Sequence, residues 1–572
     1  MKKLLFTFFA LLLIFTTSWS LINPGFFHVH DYTHGARIAE MLDGFKDGQL
    51  PVRWSENLGY GYGMPLFEFY APLPFVVGAG LLWLNLDIVL IIKILYIISN
   101  VLTCIGAYYL GKKLFGGIGG WVTSAAYTLA PYRAVNLYVR GALSEAWAMM
   151  ALPWVLLGIV MIIHREKRGF WVLLAGLLTL MLSHNLTTLM FVPVSAVFAV
   201  CYWLSRHWQD SRVVRLKMAI KDGIAMIGAY TFAVGLCAFY LFPALLENQF
   251  TQINQIFSGY FYYSNHFLYI RQFFIPFWGY GGSSWGPEDT MSYFLGFGQL
   301  LGGATFGIFW LISLLKRRQP YSRLALYAIF GVLLVLSAFM TLLRSKFIWD
   351  AVPLLTTIQF PWRWLSIVSL MLAILSGAGI SLLSRKLHRM ILGSLLILVC
   401  VITTVNYFKP ERYLDNADAL YYTDADRIKK DMSSILPDYI PKSMAQIDDV
   451  RTELFLVPAG TEQHVEVIID RSDQKLFKTN FTSPIAFNVQ IASYPGWVIE
   501  IDGQQVEWSS KGQYGTMLFT VPPGEQMVSV YFGSTPVRSI SDTITFLSIL
   551  GLFGVATYVS LSDYRSRHST RH

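Results

Sequence analysis

The chain has 572 residues, of which 54% are hydrophobic, 16% aromatic and only 14% charged, with a mean hydropathy of +0.48. Those proportions exclude a soluble multidomain enzyme and a disordered scaffold. The formal net charge of +9 does not point to nucleic acid, because the Lys and Arg residues sit in short clusters between apolar runs, where a membrane protein keeps its cytoplasmic positive charge.

Apolar runs of about 20 residues, each long enough to cross a hydrocarbon core of roughly 30 Å, recur from end to end and predict a polytopic α-helical membrane protein. A first helix over 4–22 follows Lys2 and Lys3. It is read as retained, since Ser18-Trp19-Ser20 makes a poor signal-peptide cleavage site. An external loop, 23–86, comes next. Within it the run 71–85 is short and opens Ala71-Pro72-Leu73-Pro74, so it is expected to be a juxtamembrane or re-entrant helix. With that choice the basic clusters at 111–117, 164–168, 205–221, 316–323, 385–389 and 565–572 all fall on the cytoplasmic side, and about twelve crossings result. Both termini are then cytoplasmic, and the external segments are 23–86, 136–145, 184–185, 244–290, 344–362 and 408–540.

The block 408–540 is the one real shift in composition, with no apolar run long enough to span. Strand-like alternation over 465–469, 486–493, 497–501 and 527–532, with Asp502-Gly503 as a hairpin turn, predicts a small antiparallel β-sandwich after a more helical linker, 417–433. The expected division is therefore a transmembrane domain 1–407, a β-rich extracytoplasmic domain 408–540, and a final helix with a basic tail, 541–572. Cys104, Cys201, Cys237 and Cys400 lie far apart in or beside apolar runs, without metal-ligand or disulfide spacing.

The chemistry-bearing residues gather on the external side. His28-Val29-His30-Asp31-Tyr32-Thr33-His34-Gly35-Ala36-Arg37 follows the first helix directly. A carboxylate at the membrane boundary can act as a general base toward a hydroxyl, since partial burial raises its pKa and fixes its geometry. Asp31 also fits as the cap of the amphipathic helix that runs to Asp47. His30, His34 and Arg37 are read as substrate-binding. The histidines could also ligate metal, although no HExxH-type signature is present.

Farther on, Tyr138-Val139-Arg140-Gly141-Ala142-Leu143-Ser144-Glu145 places charges beside an apolar run, where they must be paired or used. Arg140 and Glu145 either pair with each other, or Arg140 holds a phosphate while Glu145 joins Asp31 as a second carboxylate. His184, Arg271, Gln359 and Arg363 complete the candidate binding set. Arg363, between Trp362 and Trp364 at a helix entrance, suits a phospholipid-like ligand or an ordinary snorkelling anchor.

The order of these features resembles the GT-C superfamily of polytopic glycosyltransferases. More closely, His30-Asp31, Pro51-Val52-Arg53-Trp54, Gly61-Tyr62-Gly63-Met64-Pro65, Phe69-Tyr70-Ala71-Pro72-Leu73 and Gln359-Phe360-Pro361-Trp362-Arg363 look like the bacterial membrane proteins labelled pyruvoyl-tetrahydropterin synthase-related. Tyr494-Pro495-Gly496-Trp497 and Val521-Pro522-Pro523-Gly524-Glu525 are similar to the C-terminal β domain of another GT-C-like bacterial membrane family. The resemblance implies transfer of a sugar from a polyprenyl-phosphate donor to a glycan, lipid or protein acceptor at the outer face of the cytoplasmic membrane. On it Asp31 takes the early-loop acidic role and Glu145 that of the second acidic residue. A divalent cation stays open, no nucleotide cofactor is expected, and membrane lipids but not nucleic acid are the surroundings. Two other classes compete: a lipid or polysaccharide transporter, which would place ionisable groups at mid-bilayer, and a non-catalytic envelope assembly protein, in which the Asp31 carboxylate would be dispensable.

Overall fold

The computed structural model describes residues 2–433, 439–444, 447 and 449–569. Residues 570–572 of the basic tail and 434–438, 445, 446 and 448 of the external block lie outside that set. Among the described residues nine helices are long and apolar enough to cross a membrane, against the twelve expected. The difference lies in three runs. Phe6–Ile22 and Gly169–Met181 are apolar but shorter, and Ile88–Thr128 is a single 41-residue element. That element is broken at Gly116, whose φ of 82° is open to glycine at little steric cost. Beyond the break the chain folds back on itself: Ser124 Oγ donates to Cys104 O at 2.8 Å, and a Cβ on Gly120 would lie 2.9 Å from Tyr108 O. The run Leu73–Trp83 forms a helix of 11 residues, about 16 Å long at 1.5 Å per residue and too short to span.

The residues divide into two compact units. The first holds Met1–Gly35, Leu84–Tyr230 and Ile256–Tyr421, and contains most of the apolar helices. Its centre is Pro361–Ser381, whose apolar window is wholly buried, and Leu143–Ile163, at 89%. Small residues permit that packing. A Cβ on Gly377 would lie 2.1 Å from Thr123 Oγ1, and one on Gly158 would lie 2.4 Å from the backbone of Leu173.

The second unit holds Ala36–Trp83, Thr231–Gln255 and Tyr422–His572. Its β part has two antiparallel sheets. One has the order β1-β4-β7 and is made of Phe455–Leu456, Ile485–Ala492 and Thr516–Val521; the other has the order β2-β3-β8-β5-β6. The strands of the second sheet are Val465–Arg471, Gln474–Phe481, Gly524–Phe532, Trp497–Ile501 and Gln504–Gln505. Phe477 of one sheet meets Phe487 of the other with ring centroids 5.3 Å apart, and both are fully buried. Asp502 and Gly503 both have positive φ, 47° and 78°, in the hairpin between β5 and β6, as a type I′ turn demands.

Three segments of this unit meet in a buried charge cluster. Arg538 Nε lies 2.6 Å from a Glu68 oxygen and 2.9 Å from Glu247 Oε2, and all three side chains are at most 2% exposed. Tyr494 donates its hydroxyl to Glu68 at 3.1 Å. Burial pushes the Glu68 carboxyl up to about 8, with Arg538 opposing the rise and Glu247 adding to it.

Candidate functional site

The site is assembled in the first unit, where the early loop lies against the end of the helical stretch that runs to Arg140. His30 N donates to Val139 O at 3.1 Å and Asp31 N to Arg140 O at 2.8 Å, so the early loop is clamped to the chain just before the helix Leu143–Ile163. Gly141 makes the contact close. Its φ is +65°, and a Cβ there would lie 2.3 Å from Val29 and 2.8 Å from Asp31 O. The Asp31 carboxylate is half-buried and accepts the Thr33 hydroxyl at 2.8 Å. His34 donates from Nε2 to Gly141 O at 2.6 Å, and the His30 ring bonds Tyr280 O at 2.9 Å.

Arg140 emerges from a helical stretch in which Tyr132, Asn136 and Arg140 recur every four residues, on one face. All three converge on Glu145, in the first turn of Leu143–Ile163, where the helix dipole favours a negative charge. Arg140 Nη1 lies 2.7 Å from Glu145 Oε2, and Tyr132 donates its hydroxyl to Oε1 at 2.5 Å. Asn136 Nδ2 stands 3.4 Å from the same Oε1 and accepts an Arg140 N–H through its carbonyl oxygen. From more than 200 residues farther along the chain, Arg363 Nε approaches Glu145 Oε2 at 3.7 Å. Glu145 is 1% exposed, so two guanidiniums share one buried carboxylate. The Arg140 guanidinium also lies over the Trp362 ring, 4.6 Å from its centroid.

Gln359 precedes this entrance with φ at +63°, a left-handed conformation uncommon for any residue but glycine. Such backbone typically costs about 1–3 kcal/mol and gathers at ligand clamps and active sites. Its side-chain oxygen accepts from Arg363 Nη1 at 3.3 Å, and the same nitrogen donates to Ile358 O at 2.7 Å. His184 is the cap of Asn185–His207, its Nδ1 accepting the Thr187 N–H at 3.2 Å, and it stands within electrostatic reach of Glu145.

Of the residues the sequence singled out, Asp31, Arg140, Glu145, His184, Gln359 and Arg363 belong to one neighbourhood, with His30 on its loop and His34, buried, at the start of the helix His34–Asp47. Arg37 belongs to the second unit, buried, donating to Tyr70 OH at 3.0 Å with its guanidinium 4.3 Å from that ring. Arg271 is exposed in the turn Ile270–Phe273, and none of the described contacts joins it to Glu145. Tyr132, Asn136 and Trp362 are the members that the sequence reading did not assign. The four-residue spacing up to Arg140 was the available signal for the first two. Among the described residues no group of three or more His, Cys, Asp or Glu side chains is placed to hold a metal ion.

No protein-family model matches the chain. It is 28% identical over 264 residues to an uncharacterized protein of Lactococcus lactis subsp. cremoris (strain MG1363), a match covering 43% of this chain and 40% of that protein. Among solved structures it is similar to the arabinofuranosyltransferase AftD from Mycobacteria, at 15% identity and a TM-score of 0.44, over 71% of this chain and 27% of that one. It is also similar to the oligosaccharyltransferase of Archaeoglobus fulgidus in its apo form, at 11% identity and a TM-score of 0.46, over 72% of this chain and 56% of that one. The chain thus spans less than two thirds of the length of each of these proteins.

Proposed function

We propose that the chain is a membrane glycosyltransferase of the GT-C kind that moves a sugar from a polyprenyl-phosphate donor to an envelope acceptor at the outer face of the cytoplasmic membrane. The observation that carries this reading is the joining of the Asp31 loop to Arg140, whose guanidinium shares Glu145 with Arg363. Two cations around one carboxylate leave a positive centre beside a half-buried acid. That is the pairing needed to release a phosphate while a hydroxyl loses its proton.

In the proposed reaction the Asp31 carboxylate takes the proton of the acceptor hydroxyl as that oxygen bonds to the anomeric carbon. The bond from that carbon to the donor phosphate breaks, and the electron pair leaves on the polyprenyl phosphate, whose growing charge Arg140 and Arg363 stabilise. Glu145, already engaged by Arg140 and Tyr132, holds the two arginines at the right separation. His30, His184 and Gln359 orient the sugar or phosphate. The β-sandwich engages acceptor glycan, and both termini face the cytoplasm. The motif likeness to the pyruvoyl-tetrahydropterin synthase-related membrane proteins belongs to the same proposal.

The test compares envelope lipids and glycans by mass spectrometry in cells lacking the protein, restored with wild type, or restored with Asp31→Asn at matched expression. A hexose- or pentose-sized mass that returns only with wild type supports sugar transfer with Asp31 as base. Equal restoration by both proteins removes Asp31 from the chemistry and moves the transporter or assembly reading ahead.

A further inference from the structure

We infer that the segments 256–285 and 343–354 form a shelf that sits in the bilayer surface, in the leaflet on the side of the Arg140–Glu145 cluster. The inference is independent of the reaction proposed above. Over 256–285 the sequence has thirteen aromatic residues and one arginine, with no Lys, Asp or Glu. A loop bathed in water would bury such side chains, yet many here point outward. Ile270, Phe274, Ile275 and Phe277 are 46–55% exposed, and across the way Phe347 is 66% and Leu354 51% exposed. Exposed apolar side chains in such number mark a partner or a membrane, and the Lys346–Asp350 pair on the second segment is of the kind that stays at headgroup level.

The backbone fixes its depth. Leu268 N donates to Thr341 O at 2.8 Å, immediately after the spanning helix Tyr321–Met340 ends. Leu295 N donates to Phe273 O at 3.1 Å, just before the spanning helix Phe297–Leu315 begins. Tyr263 stacks on Trp349 with centroids 5.6 Å apart and planes at 8°, tying the two segments together. The shelf is therefore held at the level where two helices leave the hydrocarbon. The Leu295–Phe273 backbone bond brings the first segment to the start of the exposed stripe of Phe297, Leu301, Ile308, Leu311 and Leu315, which recur on one face of a spanning helix, where lipid tails lie. Continuity with that face selects lipid over a protein partner. Aromatic residues with an exposed Arg271 are the composition that settles at headgroup depth.

The test uses the unchanged protein in lipid nanodiscs containing a phosphatidylcholine with a diazirine near the top of its acyl chain. After photolysis, adducts are mapped by mass spectrometry. Adducts on 270–277 and 343–354, alongside those on Phe297 and Leu301, are expected. Adducts on Phe297 and Leu301 with none on the two segments overturn the inference. Depth is read separately with nitroxide labels on Phe274→Cys and Phe347→Cys, using Lys511→Cys, on the exposed surface of the β part, as the aqueous reference. Relaxation of the first two by oxygen, with loss of relaxation by a water-soluble nickel chelate, is expected. Nickel access equal to that at Lys511→Cys, or protection from both reagents by a protein neighbour, refutes it.

Discussion

Replacing Glu145 should destabilise the first unit more than replacing either of its arginines. Glu145→Gln keeps the shape and the Tyr132 contact but withdraws the single negative charge that Arg140, at 2.7 Å, and Arg363, at 3.7 Å, both face. Breaking a buried ion pair from one side typically costs about 3–5 kcal/mol, because the remaining charge is left without compensation. Here two cations are left, each with a side chain about nine-tenths buried. In Arg363→Gln, by contrast, Glu145 retains Arg140, Tyr132 and Asn136. A smaller loss of about 1–3 kcal/mol is expected, from the hydrogen bonds to Ile358 O and Gln359 that this side chain gives up. Arg140→Gln should fall between the two. The double variant Arg140→Gln with Glu145→Gln should be less unstable than the sum of its parts, since the charges disappear together. Equilibrium unfolding in mixed micelles with increasing SDS, followed by tryptophan fluorescence, measures all four proteins. Equal losses for Glu145→Gln and Arg363→Gln, or strict additivity in the double variant, would refute the shared-carboxylate account.

The Asp31 loop rests on Gly141, so Gly141→Ala should lower product formation by displacing the Asp31 backbone. Gly80→Ala, in an exposed helical position with nothing within 4 Å of its Cβ, should leave activity unchanged and add about 0.5–1 kcal/mol of stability; matched activity and unfolding assays check both. In the second unit, Glu68 has a folded pKa near 8 against an ordinary 4.5, chiefly from burial. The folded state therefore binds more protons between those values, and stability falls as pH rises through that window, by up to about 1.4 kcal/mol per unit. Unfolding midpoints from pH 5 to 9 should show that slope in wild type and its loss in Glu68→Gln. Glu56 behaves in the opposite sense. Burial would raise it, but Lys475 at 2.7 Å and Arg451 at 2.9 Å hold it at about 2. Its contribution is thus present above pH 4.5 and fades as pH falls toward 2, a loss that Glu56→Gln should abolish in acid titrations.

Much of the fold could be read where the local signal was unmixed. The strand at Trp497–Ile501 and the Asp502-Gly503 turn stand where alternation and turn chemistry put them. The neighbouring strand Gln474–Phe481 escaped notice because two of its four fully buried positions are Lys475 and Thr479, which break the apolar alternation. Lys475 is tolerated there because Asp470, across the hairpin, and Glu56, over 400 residues earlier, both reach it, and no short window of sequence contains the second partner. The basic loop expected at 111–117 contains the break at Gly116, whereas the contacts that close this fold-back, such as Ser124 to the Cys104 carbonyl, depend on neighbours across it.

The site shows the same boundary between local and long-range information, and there it bears on chemistry. Charges next to an apolar run must be neutralised, which is why Arg140 and Glu145 could be picked out five residues apart. Arg363 could be picked out as well, but not its approach to the same carboxylate from the entrance of another helix. That addition changes the reading of Glu145. A carboxylate that meets one pair alone is free to trade its proton, whereas one that already receives Arg140 and the Tyr132 hydroxyl, with a second guanidinium at 3.7 Å, has its lone pairs engaged. In the proposed reaction the two guanidiniums around it are the groups that meet the donor phosphate. The Asp31 backbone joins this cluster through the Arg140 carbonyl, and its carboxylate, half-buried and accepting the Thr33 hydroxyl, is the group to which the proposed reaction assigns proton transfer.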